Sequence, residues 1–133
     1  MLRTDSVWLR TTATAPATGR EFPVNIRYVT THPFEVRFEF ANPTGWVSWT
    51  VDRALVLDGL IADTGEGDVR FAPAGDEVMV SLTNGREHIV LALPRAELDR
   101  AADEMLQLVP EGRESDAVDW DAALASLAGG EPR

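Results

Sequence analysis

Residues 34–40 alternate without a break: Phe34, Val36, Phe38 and Phe40 against Glu35, Arg37 and Glu39. Successive side chains of an extended chain point to opposite faces, so this run has one apolar and one solvated face. Folded as a helix, the same residues would scatter the four apolar groups around the cylinder. The run therefore commits the chain to an antiparallel sheet that is dry on one side and wet on the other.

Other stretches share the period. Residues 6–13 place Val7, Leu9 and Thr11 on one face, with Trp8 and Arg10 on the other. Residues 22–30 turn Phe22, Val24, Ile26 and Tyr28 inward; Pro23, which lacks a ladder donor, belongs at a strand start or an edge. Asn42-Pro43-Thr44-Gly45 turns into Trp46-Val47-Ser48-Trp49, where Trp46 and Ser48 oppose Val47 and Trp49. Val69 to Ala72, Val78 to Leu82 and Glu87 to Leu93 complete the strands, the last two flanking the hairpin signal Asn84-Gly85. Ile89, Leu91 and Leu93 share a face.

Two helices punctuate these runs. One covers about 52–60, with Thr50 as N-cap and Gly59 as a left-handed stop; Val51, Ala54, Leu55 and Asp58 form a row that Leu57, Leu60 and Ile61 widen. The second begins with Pro94 in its first turn and carries the stripe Leu98, Ala101, Ala102, Met105, Leu108 and Val109. Pro110-Glu111-Gly112 ends it. A polar linker, 113–117, leads to a last short helix from about Asp119, with Trp120, Leu124 and Leu127 at i, i+4, i+7. The segments 22–61 and 66–107 share an order, strands then helix, without shared sequence. The fold class is α+β, two antiparallel sheets with helices packed against them. One domain spans 1–133, with a core of about 4–109 and a C-terminal linker and helix of about 110–128.

The composition excludes more functions than it names. The 133 residues carry a net charge of −10, from 22 acidic and 12 basic residues, all the latter Arg. That field opposes phosphate backbones and anionic lipid. There is no Cys, which removes disulfides, thiolate nucleophiles and cysteine metal sites. The N-terminus lacks an apolar signal core, and no segment approaches the ~18 apolar residues of a membrane span. A cytoplasmic protein without membrane insertion is expected.

No catalytic constellation stands out. His32 precedes Pro33 in a turn and His88 opens a strand; no Ser lies in a Gly-x-Ser-x-Gly elbow. Thr64-Gly65-Glu66-Gly67-Asp68 lacks the Lys and the glycine spacing of a phosphate loop, and its acids repel phosphate; a turn with two permissive backbone positions explains it. Asp63, Glu66 and Asp68 do not have EF-hand spacing. The acids Asp99, Asp103, Glu104, Asp119 and Asp121 belong to solvated helix faces beside Arg95 and Arg100. No enzyme, cofactor or metal is expected. Arg27, Arg37 and Arg70 project from strands near Trp46 or Trp49, a pattern that stacks single-stranded nucleic acid, but Glu35 and Glu39 flank Arg37. The C-terminal row Trp120, Leu124 and Leu127 covers a sheet end or docks a subunit or partner through an aromatic anchor.

Several of these residues also carry a resemblance. Arg27-Tyr28 with Pro33-Phe34-x-Val36, Trp49 leading into Arg53-Ala54-Leu55-x-Leu57-x-Gly59-Leu60, and Thr64-Gly65-Glu66-Gly67-Asp68-Val69-Arg70 with Pro73 resemble the SsgA-like proteins of filamentous actinobacteria. So do Val109-Pro110-x-Gly112-x-Glu114 and Trp120-Asp121-x-x-Leu124-x-x-Leu127. The match runs over nearly the whole chain. The resemblance implies a non-enzymatic protein of sporulation-specific cell division with a Whirly-like fold, assembled as a homotrimer. It implies recruitment of FtsZ, the tubulin-like division protein, to septa, with an SsgA-like paralogue as partner. Trp120, Leu124, Leu127, Trp46 and Arg70 are the interface candidates. The alternative from another class is a single-stranded nucleic-acid-binding protein on the same fold.

Overall fold

The computed structural model describes residues 5–43, 45–83, 85–86 and 88–117. Within them the period-2 runs become β1 (Ser6–Thr14), β2 (Glu21–Val29), β3 (Glu35–Asn42) and β4 (Gly45–Asp52), followed by helix α1 (Arg53–Gly59). The order then repeats. Strands β5 (Thr64–Glu66), β6 (Val69–Ala74), β7 (Glu77–Thr83) and β8 (His88–Pro94) lead into helix α2 (Arg95–Leu108). The shared order of 22–61 and 66–107, three strands and a helix in each, belongs to a longer unit of four strands and a helix, made twice. Strand β5 lies in what sequence reasoning takes for a turn. Glu66 pairs with Val69, so the turn itself is Gly67-Asp68, and Gly67 supplies its positive φ of 61°.

Every strand pair is antiparallel. The α+β class holds, but the two expected sheets are one, of order β4-β3-β2-β1-β8-β7-β6-β5. The two meanders join where β1 meets β8, at the pair Thr14↔Ala92. Strand twist curls the sheet until its halves face each other across a core, as two layers would. Phe38 of β3 and Phe71 of β6 have four strands between them in the sheet, yet their ring centroids are 5.7 Å apart. Helix α1 packs on β3 and β4 as well as β5 and β6, closing the space between the two ends of the sheet. Helix α2 packs on β1, β7 and β8, across the joint.

The inward residues of the alternating runs make the core. Val7, Leu9, Val24, Ile26, Tyr28, Val36, Phe38, Val78, Val80, Leu82, Leu91 and Leu93 are buried together with Leu98, Ala101, Ala102 and Met105 of α2. Four expected core residues are exposed instead: Phe34, Ile61, Ile89 and Leu108. Phe34 precedes the first residue of β3 and so escapes its alternation; Ile61 follows the end of α1. Ile89 and Leu108 lie at the ends of their elements, where the packed surface runs out. Pro94 is the last residue of β8, and the helix starts one residue later.

Helix α1 departs from the expected pattern in both caps. Its N-cap is Asp52, not Thr50: the carboxylate accepts from the Ala54 amide at 3.0 Å. Gly59 is not a left-handed stop. It is the last helical residue and is buried so close to β6 that a Cβ there would sit 2.3 Å from the Phe71 Cβ. The glycine is required by close helix–strand approach. The buried face is Arg53, Leu55, Val56 and Gly59, not the row through Asp58.

Arg53 opens α1 and is only 1% exposed. Its Nη1 donates to the Val109 carbonyl at 2.6 Å, the Tyr28 hydroxyl at 3.2 Å and the Met105 carbonyl at 3.4 Å. Its Nη2 donates to Glu114 Oε2 at 2.8 Å. The Met105 carbonyl, which also accepts from the Val109 amide, and the Val109 carbonyl lie at the end of α2, where the helix dipole favours a cation. The Tyr28 hydroxyl donates to the Pro33 carbonyl at 3.0 Å, and burial raises its pKa, so the phenol stays a donor. Segment 113–117, read from sequence as a linker, forms a 3-10 turn at Glu114–Ala117 that returns Glu114 to the guanidinium. The hydrogen bond from Arg53 holds the Glu114 carboxyl below its ordinary 4.5.

Three outcomes follow for stability. Gly59→Ala loses about 1–3 kcal/mol through overpacking, despite the better helix propensity of Ala, as measured by urea unfolding. Arg53→Ala takes a donor from four acceptors, of which Met105 keeps the Val109 amide, and costs about 3–5 kcal/mol in the same assay. Because the Glu114 pKa is lower in the folded state, its contribution is complete above about 4.5 and disappears as pH falls through the folded value. The stability gap between the wild type and Glu114→Gln therefore narrows on going from pH 7 to pH 3; a gap independent of pH would contradict the pairing.

Candidate functional site

The sequence candidates divide three ways. Trp120, Leu124 and Leu127 lie outside the described residues. Trp46 is on β4, the strand at one end of the sheet, and is 51% exposed on the outer face. Arg70 is on β6, in the other half, where its Nε contacts Asp63 Oδ1 at 2.7 Å. The structure therefore does not bring Trp46 and Arg70 together. Nor do Trp46 and Trp49 share a surface: Trp49 packs against the core, and its neighbour on β3 is Phe38.

What the fold does assemble is the outer face of β1–β4. Trp8 and Arg10 project outward from β1, as the alternation of residues 6–13 requires. Trp8 is 68% exposed, and the Arg27 guanidinium of β2 lies over its ring, 5.4 Å from the centroid. Arg10 lies over Trp46 at 5.6 Å and donates from Nε to Asn25 Oδ1 at 3.0 Å. Asn25 in turn reaches Glu39 at 3.4 Å, and Glu39 accepts the Arg27 ion pair at 3.5 Å. Arg27 is directly opposite Arg37 of β3. A row of three Arg and two Trp thus lies on one face of a chain whose net charge is −10. Trp8 was readable as an outward residue but not as a partner of Arg27, since register decides which strands are neighbours.

Two concave features adjoin this half of the sheet. On the outer face a hollow of about 260 Å³ opens between Arg27, Thr31, His32, Glu35, Arg37 and Thr50. At one end of the curled interior, Phe22, Phe40, Val47, Trp49, Ile89 and Leu91 line an apolar cleft of about 120 Å³. The cleft lies between the facing halves of the sheet, and Val47 and Ile89 are exposed at it.

The residues weighed for catalysis are dispersed. His32 shares a hydrogen bond with the Thr31 hydroxyl at 3.3 Å, and His88 lies beside Ser81 and Thr83 in an open groove bordered by Gly65 to Arg70. Asp63 is engaged by Arg70. Asp99 and Glu104 pair with Arg95 and Arg100 at 3.5 and 3.4 Å, each four residues apart on α2. Among the described residues no group of three or more His, Cys, Asp or Glu is placed to hold a metal ion, and no helix is long and apolar enough to cross a membrane.

Comparison with known proteins gives a consistent result. Residues 22–114 match the family model described as Streptomyces sporulation and cell division protein, SsgA. The sporulation-specific cell division protein SsgB of Saccharopolyspora erythraea is 36% identical over 135 residues, covering 95% of this chain and 96% of that protein. SsgB of Frankia casuarinae is 35% identical over 121 residues, covering 86% and 85%. Among solved structures, the SsgA-like sporulation-specific cell division protein of Thermobifida fusca aligns with a TM-score of 0.79 at 29% identity, covering 92% of this chain and 95% of that one. A structure concerning SsgB in Streptomyces coelicolor, whose mutations correlate with longitudinal cell division during sporulation, aligns at 0.76 with 27% identity, covering 88% and 97%. This chain belongs to the SsgA family of sporulation and cell division proteins.

Proposed function

We propose that the protein positions the septation machinery during sporulation by binding other proteins, without chemical turnover. The observation that carries this is the end-to-end match to proteins named SsgB. In the proposal it recruits FtsZ to future septa from the cytoplasm, works with an SsgA-like paralogue and is itself a homotrimer. The exposed Trp and Arg of the outer face support a role exercised through surfaces, since aromatic and Arg side chains are the usual anchors of protein interfaces. The repeated meander and helix supports the Whirly-like architecture that the resemblance implies. Trp120, Leu124, Leu127, Trp46 and Arg70 remain the proposed interface residues, in more than one contact, because Trp46 and Arg70 are in different halves of the sheet. The names of the relatives give no support to the nucleic-acid alternative.

Light scattering coupled to size exclusion tests the proposal. The expected mass is three times that of the 14.6 kDa chain, with co-migration of FtsZ or of the paralogue. Trp120→Ala is expected to lower the mass or abolish co-migration. A monomer that ignores both partners would overturn the recruitment reading.

A further inference from the structure

We propose that the hollow around Arg37 is a receptor for a carboxylate-bearing segment, an acidic peptide of a partner protein. The outer face carries an imbalance of charge. Arg27 and Arg37 are direct cross-strand partners, and like charges so placed repel. Arg27 is compensated by Glu39 and by the Trp8 ring. The Arg37 side chain is exposed and has no hydrogen bond, ion pair or ring contact among the described residues, although Glu35 is two residues away on the same face. The fold thus holds a guanidinium beside a second one and leaves it unmatched, on a protein with an excess of acid. An incoming carboxylate removes the repulsion and gains charge-assisted, bidentate bonds.

The hollow also has the right size and lining. Its volume of about 260 Å³ suits a side chain rather than a whole small molecule, whose pockets span roughly 300–1,000 Å³. Thr31, His32 and Thr50 add polar groups at the rim, and Glu35 limits how much further negative charge can enter. That limit argues against nucleic acid, whose phosphates form an unbroken anionic line. So does the state of the tryptophans: one face of each ring, Trp8 and Trp46, is already covered by an Arg, where a base would stack. A peptide can place one carboxylate at Arg37 and lay apolar neighbours along the exposed parts of the same rings.

The test is fluorescence anisotropy with the full chain at 0.15 M salt, where a screening length of about 8 Å suppresses the net-charge field more than a contact. The probes are a labelled peptide of Asp-Leu repeats, the same peptide with Asn for Asp, and labelled oligo-dT. The Asp peptide is expected to bind, and the Asn peptide to bind about tenfold more weakly or less. Arg37→Ala is expected to weaken the Asp peptide about tenfold with no loss of melting temperature, since it relieves a repulsion. Arg86→Ala, at an exposed loop position, is expected to change nothing. Failure of the Asp peptide to bind, equal losses in the two Arg variants, or tighter binding of oligo-dT that depends on Arg37 would each overturn the proposal. The probes require neither FtsZ nor the paralogue, so this result and that of the recruitment assay are separable.

Discussion

A full positive charge in the interior is the constraint on which the rest of this structure depends. Arg53 has left water almost completely, and a bare buried cation costs many kcal/mol. It is stable there because four parts of the chain supply oxygen: Tyr28 of β2, the last turn of α2, Val109 beyond it, and Glu114. These parts are distant in sequence. The guanidinium therefore sets where the end of α2 lies relative to the start of α1, and where the chain departs after Val109. Arg95 adds a second tie between the halves through the Leu60 carbonyl. Nε of Arg53 is buried without a hydrogen-bond partner among the described residues, which costs the fold some stability.

The sheet's two faces divide the work. The inner face and the helices bury the apolar residues. On the outer face of β1–β4, Arg10, Asn25, Glu39 and Arg27 are tied together by two hydrogen bonds and an ion pair. Asn25 is buried on that face beneath Arg10 and Glu39, so polar groups there form a connected layer and not a scatter of solvated tips. A surface built this way offers a partner ordered side chains, with less rotamer entropy to lose on binding.

Periodicity made the strands legible. The alternation of residues 34–40, 22–30 and 78–82 placed nearly every core side chain of the sheet, because period and burial have the same cause. It could not report register or strand order. Those depend on which edges meet, and one sheet curled upon itself has the same alternation as two sheets facing each other. Short elements were harder. Three residues of β5 contain too few positions to show a period, and α1 was misphased because its buried face includes an Arg and a Gly. Arg53 and Glu114 were visible only as residues of a family resemblance. Nothing in the local sequence marks an arginine for burial when its partners lie as far away as Val109 and Glu114.

The joint between the halves has its own consequence. Strands within each meander pair with their chain neighbours through short loops, and such local pairings form early. The bridge Thr14↔Ala92 closes a far longer loop, so it forms after them. During synthesis the chain emerges from its N-terminus. Strand β1 then presents an unpaired edge until β8 has been made, and α2, which lies across the joint, is later still. Until β8 is made, the half-made sheet keeps the β1 edge unpaired as well as that of β4, and an unpaired edge is a template for pairing with another chain.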